Sequence, residues 1–233
     1  MTRAADIFGS SVVAVGVFNP AIFSPSWLER NSLIGKGDAD EATRSPSLII
    51  SHRATVFETE WFALQVFENQ FSLTSKGALT PAIRDLAVGI LSLVPHTPIT
   101  ALGLNFFAHF RFNTEIEYHK IGDVLAPKTI WDSLYPEKNS AGLADLSIRV
   151  QDAERGSAPR SGNEKRISVQ PSGKVKFGVF MSLNDHREIL DAGDGVSPAE
   201  RTALIVDSSW QSSCDEAIRI FDHVLSSALA AEQ

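Results

Sequence analysis

Residues 101–112 read ALGLNFFAHFRF and show the clearest two-residue alternation in the chain. Successive side chains of a β-strand point to opposite faces of its sheet. One face of this stretch would carry Leu102, Leu104, Phe106, Ala108, Phe110 and Phe112, and the other Asn105, Phe107, His109 and Arg111. The alternation predicts a long strand with its first face in the core and its second face partly open.

Shorter patterns on both sides of this stretch predict further strands and helices. Alternating or β-branched segments occupy 11–18, 47–57, 61–67, 71–75, 143–150, 166–170 and 174–183. Helical spacing follows Ser24, Thr80 and Asn113 or Thr114, and a stripe from Leu204 to Ala228 predicts a long final helix. The polar stretch 36–46 is expected to be a loop.

The order of these elements repeats. The first half runs strand, helix, three strands, helix, and the second half, beginning near Thr100, follows the same order. We therefore expect an α+β fold in one domain, built of two β-α-β-β-β-α halves at about 1–98 and 99–233. The two halves would merge into one extended antiparallel sheet with amphipathic helices on one face.

Composition narrows the classes of function. The chain has 233 residues, of which 43% are hydrophobic and 21% charged, with a net charge of -7 and a pI near 5.4. Such a charge gives no general attraction to polyanions. Cys214 is the only cysteine, which excludes an intrachain disulfide and a thiolate zinc cluster. We expect a cytoplasmic protein without a membrane span, cofactor or metal.

The face of the sheet opposite the helices is the candidate binding surface. Aromatic rings add contact area at low entropy cost, while amides and an arginine can orient a partner. The residues predicted to share this surface are Phe67, Asn105, Phe107, His109, Arg111, Phe180 and Asn184. A plainer interpretation stays open, in which the three phenylalanines pack under loops or at a dimer interface.

Several groups could instead support catalysis or metal binding. His109 and Arg111 share a strand face, and the ionisable run 184–188 is expected to follow a strand that ends near Leu183. Asp185 could orient His186, although neighbours in an extended chain point in opposite directions. Glu115 and His119 lie four residues apart on a predicted helix, which also suits an ordinary solvated pair.

Three segments carry a family resemblance. ALGLNFFAHFRF at 101–112, YHKIGDVLAPKTIWDSL at 118–134 and VFMSLNDHREI at 179–189 are followed by a closing helix. Together they resemble conserved, sporadically distributed bacterial proteins of similar length whose members have no assigned activity. The resemblance implies a bacterial or phage origin and the α+β architecture, and it implies no catalytic residue.

The leading hypothesis is a non-enzymatic binding or assembly protein that uses the open sheet face for another protein or for self-association. A hydrolytic or acid–base enzyme acting through His109 or His186 is the first alternative. The second is a saddle-like nucleic-acid-binding protein, since a duplicated sheet-and-helix unit is similar to the TATA-binding protein. The net charge makes nucleic acid the less favoured partner.

Overall fold

A computed structural model describes residues 3–131, 134, 141–151 and 162–231. These residues form one nine-stranded antiparallel sheet in the order β2-β3-β4-β5-β1-β6-β9-β8-β7. The strands are β1 Ile7–Gly16, β2 Ile49–Ile50, β3 Ala54–Glu58, β4 Phe62–Phe67, β5 Gln70–Ser75, β6 Ile99–Arg111, β7 Leu146–Gln151, β8 Glu164–Pro171 and β9 Gly178–Glu188.

The centre of the sheet is the pair formed by β1 and β6. Their antiparallel register runs from Ile7 opposite His109 to Gly16 opposite Ile99. The meander β2–β5 continues from β1 on one side, and β9, β8 and β7 continue from β6 on the other. The predicted α+β fold with two similar halves in one antiparallel sheet is confirmed, with β2 as an additional short strand in the first half.

Five helices lie on one face of this sheet, which we call the helix face. They are α1 Pro25–Arg30, α2 Lys36–Arg44, α3 Ala82–Leu93, α4 Glu115–Leu125 and α5 Pro198–Ala230. The predicted caps are present, because Ser24 accepts a hydrogen bond from the Trp27 amide and Thr114 accepts one from the Glu117 amide. Within the described ranges, no helix has both the length and the apolar character needed to cross a bilayer.

The core fills the space between the sheet and the helices α3 and α5. Phe106 stacks edge-on against Trp210 of α5 with ring centroids 5.0 Å apart, and Phe110 contacts Phe221 at 6.2 Å. The six alternating side chains that begin at Leu102 are all buried, as predicted. Cys214 is also buried, and burial raises the pKa of its thiol to about 11.

Three local predictions are wrong. Residues 36–44 form α2 rather than a loop, because Ala39 and Ala42 are spaced to bury one side and the Trp61 indole donates to Asp38 across the fold. Residues 184–188 lie inside β9 rather than after it. Leu204 is 59% exposed, so the apolar stripe of α5 does not include it.

We expect Phe106→Ala and Phe107→Ala to differ sharply although the residues are adjacent. Phe106 is fully buried on the helix face, and its loss should reduce the free energy of unfolding by about 3–5 kcal/mol. Phe107 lies on the opposite face with part of its ring in solvent, so Phe107→Ala should reduce the free energy of unfolding by less. Urea denaturation of both variants measures the difference, and equal losses would contradict the assigned faces.

The end of β1 approaches the chain before β6 closely at Gly16. A side chain at Gly16 would place its Cβ 2.2 Å from the Pro98 carbonyl oxygen, so Gly16→Ala should destabilise the protein by forcing the backbones apart. Gly37 in α2 has no neighbour within 4 Å, and Gly37→Ala should raise stability by up to about 1 kcal/mol. Thermal melts of the two variants should shift in opposite directions.

Candidate functional site on the open sheet face

The open face is the surface of the sheet opposite the helices. Strand register assigns side chains to it, because directly paired residues of neighbouring strands point to the same side. Asn105 pairs with Ser11 on one side and with Asn184 on the other, and none of these projects toward the helices. The open face thus includes all seven residues predicted from the sequence: Phe67, Asn105, Phe107, His109, Arg111, Phe180 and Asn184.

A row of amides lies at the centre of the open face. Asn184 donates a short hydrogen bond from its side-chain nitrogen to Oδ1 of Asn105. Asn105 in turn donates to the carbonyl oxygens of Ser11 at 3.5 Å and Gly103 at 3.4 Å. Each amide carries two donor hydrogens and an oxygen with two lone pairs. The pair is therefore oriented by its own strands and still has capacity to bond a partner.

Two of the three predicted rings form a cluster beside this row. The Phe107 and Phe180 ring centroids are 6.4 Å apart, and Phe180 also lies 4.9 Å from the His109 ring. Phe107 lies across the backbone of Gly9, where an added Cβ would be only 2.5 Å from the ring. Glycine at position 9 thus permits the ring to lie flat on the sheet.

Phe67 is separate from this cluster. It lies on β4, and β5 and β1 stand between β4 and the strand that carries Phe107. Three strand spacings of about 4.8 Å therefore separate the two strands. Phe67 is 41% exposed, and the predicted three-ring patch is in fact a two-ring cluster and one distant ring.

His109 is a buried and hydrogen-bonded residue. Its Nδ1 lies 2.7 Å from Oγ of Ser172, in the turn between β8 and β9. The same Oγ accepts hydrogen bonds from the amides of Lys174 and Val175, which use both of its lone pairs. The Ser172 hydroxyl must therefore donate to Nδ1, which assigns His109 as neutral. Burial, with a smaller contribution from Lys174, lowers the pKa of His109.

A shallow depression of about 610 Å³ adjoins the amide row. Val15, Gly103, Asn184 and His186 are among the residues that line it. Its outer wall includes Glu164 on β8, whose carboxylate is 3.0 Å from Arg166. This carboxylate therefore neutralises part of the positive charge at the side of the depression.

Charge on the open face is confined to its margins. Among the described residues, the open-face positions of β1, β4, β5 and β6 include no Asp, Glu or Lys, and Arg111 at the end of β6 is the only Arg. Arg111 pairs with Asp6 at 3.1 Å, and Arg149 pairs with Glu164 at 3.2 Å. The centre is thus uncharged and the rim carries paired charges.

The two histidines of the enzyme alternative do not meet. His186 pairs with Gly103, six residues along β6 from His109, which corresponds to about 20 Å. Asp185 points to the helix face instead, where its carboxylate accepts hydrogen bonds from Ser213 at 2.6 Å and Arg187 at 2.8 Å. It does not orient His186. Catalysis by either histidine alone stays a prediction.

The predicted helix pair is a solvated pair of side chains. Glu115 and His119 lie 3.5 Å apart on α4, and both side chains are more than half exposed. Across the part of the chain that the structure describes, no three His, Cys, Asp or Glu side chains lie close enough to hold a metal ion.

The candidate residues predicted from the sequence did not include the open-face residues of β1 and β8. Ser11 has a small side chain and Gly9 has none, so neither stands out in the sequence, yet they leave room for Asn105 and Phe107. On β8, Glu164 and Arg166 occupy even-numbered positions and the apolar residues Ile167 and Val169 occupy odd-numbered ones. That alternation was the available signal for their face.

Comparison with known proteins adds no relative. No family model matches the sequence, and no curated protein matches it significantly. The resemblance to sporadically distributed bacterial proteins therefore stays a prediction, and the site must be interpreted from its own geometry.

We expect acid to lower the free energy of unfolding because of His109. Because its pKa is lowered in the folded state, the unfolded chain binds more protons, and stability is lost as pH falls below about 6.5 through the folded pKa. Replacing the residue by His109→Gln should remove this part of the pH dependence, whereas His119→Gln, at an exposed site, should retain it. Urea denaturation at pH 7.5 and at pH 5.5 measures how much the free energy of unfolding of each variant changes with pH. If the free energy of unfolding changes equally with pH in wild type and in His109→Gln, the neutral His109–Ser172 bond does not contribute to the pH dependence of stability.

Proposed function

We propose that this is a binding or assembly protein that holds another protein on its open sheet face. The observation that carries the proposal is the uncharged centre of that face, spanning β4, β5, β1 and β6. A sheet face that serves only for solvation usually has polar and charged side chains outward. Cores of protein interfaces are instead depleted of charge and enriched in aromatic side chains, with a polar rim.

The arrangement of polar groups supports the same proposal. Asn105 and Asn184 are held in place by hydrogen bonds within the sheet, so little entropy is lost when they bond a partner. The Phe107 and Phe180 cluster beside them offers rigid apolar area. This combination provides both contact area and orientation at the centre of one surface.

The width and charge of the face favour a protein over other partners. The depression beside the amides is shallow and open, unlike the enclosed pockets that bury most of a small ligand. Arg111 pairs with Asp6, and Arg149 and Arg166 share the carboxylate of Glu164, which reduces the attraction of these arginines for phosphates. These features count against nucleic acid.

The test uses a matched pair of exposed apolar residues. Val15 lines the depression and is 44% exposed, while Leu204 lies on α5 in the helix layer. Val15→Glu should place a charge in the interface and weaken partner binding by at least about tenfold. Leu204→Glu should leave binding unchanged, and both variants should fold.

The measurement has two stages. Quantitative capture from a lysate of the native host, with wild type and both variants as bait, selects proteins lost only with Val15→Glu. Titration of the purified candidate against the three baits then gives the affinities. The proposal is wrong if every captured protein binds wild type and Val15→Glu equally, or if both substitutions weaken binding alike.

A further inference from the structure

The two edges of the sheet are unlike. At one edge β2 has only two residues, Ile49–Ile50, which limits the backbone it can offer to another strand. At the other edge β7 has six residues, Leu146–Gln151, and no described strand pairs with its outer side. Natural sheets protect such edges with proline, charges, bulges or short strands. β7 contains no proline, and its only charged residue is Arg149.

The side chains of β7 divide cleanly between the two faces. Ile148 pairs with Ile167 of β8, which pairs with the buried Leu183, so Leu146, Ile148 and Val150 lie on the helix face. Ile148 and Val150 are 46% and 48% exposed there. Ser147 and Arg149 lie on the open face, where Arg149 pairs with Glu164 of the same chain, which also contacts Arg166. An apolar row therefore ends at a backbone edge with which no described strand pairs.

We propose that β7 pairs antiparallel with β7 of a second copy, about a two-fold axis at Ile148. This register places Ile148 opposite its own copy and Leu146 opposite Val150 on the helix face. On the open face it places Ser147 opposite Arg149. Every apolar side chain of β7 then meets an apolar side chain, and the strand complements itself as a two-fold interface requires.

Neighbouring registers are less favourable. A two-fold axis at Arg149 would place that arginine directly opposite its own copy, and like charges in directly opposed positions are destabilising. An axis at Ser147 would pair only Leu146, Ser147 and Ile148 within the strand and would leave Val150 without a partner on β7. A slip of one residue from the proposed pairing would place Ile148 opposite Arg149 or Ser147 of the other copy, and these side chains belong to different faces of the sheet.

The consequence is a continuous sheet across two chains. A two-fold axis perpendicular to the sheet keeps the helix faces of both copies on one side and their open faces on the other. The dimer would thus present two open faces as one surface. This inference does not depend on what the open face binds, and it concerns residues outside the Val15 depression.

Cysteine cross-linking tests the proposed register. Directly opposed residues of an antiparallel pair have Cα atoms about 4.5–5.5 Å apart, within the range that a disulfide spans. Ile148→Cys should form a cross-linked dimer under mild oxidation, while Ser147→Cys and Arg149→Cys should form several-fold less. The native Cys214 is buried with a raised pKa, so its background reaction should be low.

Sedimentation velocity gives an independent measurement on the uncross-linked protein. Wild type should show a concentration-dependent dimer, and Ile148→Lys should raise its dissociation constant at least about tenfold by opposing two lysines. Ile50→Lys at the β2 edge is the matched control, since Ile50 is similarly exposed, and it should leave the dimer unchanged. Circular dichroism melts check that each variant is folded.

The two experiments distinguish the proposed pairing of β7 from its alternatives. Preferential cross-linking at Ile148 with loss of the dimer in Ile148→Lys supports the proposal. A monomer at all concentrations, cross-linking that is equal at the three positions, or preferential cross-linking at Ser147 or Arg149 overturns it. In the first of these cases the edge either stays solvated or receives a strand from a different protein.

Discussion

The antiparallel pairing of β1 with β6 holds the two halves of the sheet together. These two strands join the halves of the chain, and all other strands continue outward from them. Val12 and Leu104 are directly opposed and fully buried, which specifies which face of both strands meets the helices. Because the side-chain period is two, a one-residue slip would exchange the core with the open face. The central register therefore determines the position of every residue considered above.

Polar groups on the two faces are satisfied in different ways. On the helix face, Asp185 is buried, and α5 supplies Ser213 as one of its hydrogen-bond partners. A buried carboxylate without such partners would be costly, so this contact helps to fix α5 on the sheet. On the open face, Asn184 donates to Asn105, and Asn105 donates to the Ser11 carbonyl oxygen of β1. Asp185 thus has its hydrogen-bond partners within the fold, whereas the two amides of the open face keep capacity for further bonds.

Two of the wrong local predictions share a cause. Residues 36–44 and 184–188 are polar in composition, and composition suggested that each lay outside a regular element. In both cases contacts distant in the sequence decide the conformation. Trp61 bonds to Asp38 of α2, and residues of α5 and β6 hold the end of β9 through Asp185 and the strand register. Alternation, which continues through Asn184, Asp185 and His186, was the better signal.

Strand periodicity and helix caps are local properties, so the α+β class, the repeated element order and the two faces of β6 could be predicted from the sequence. The sequence also placed all seven candidate residues on one face. Which of these residues contact one another depends on the tertiary fold. Strand order separates Phe67 from Phe107, and the turn at Ser172 converts His109 from an apparent surface group into a buried, neutral one. Strand order and long-range hydrogen bonds join distant residues, and no local pattern encodes them.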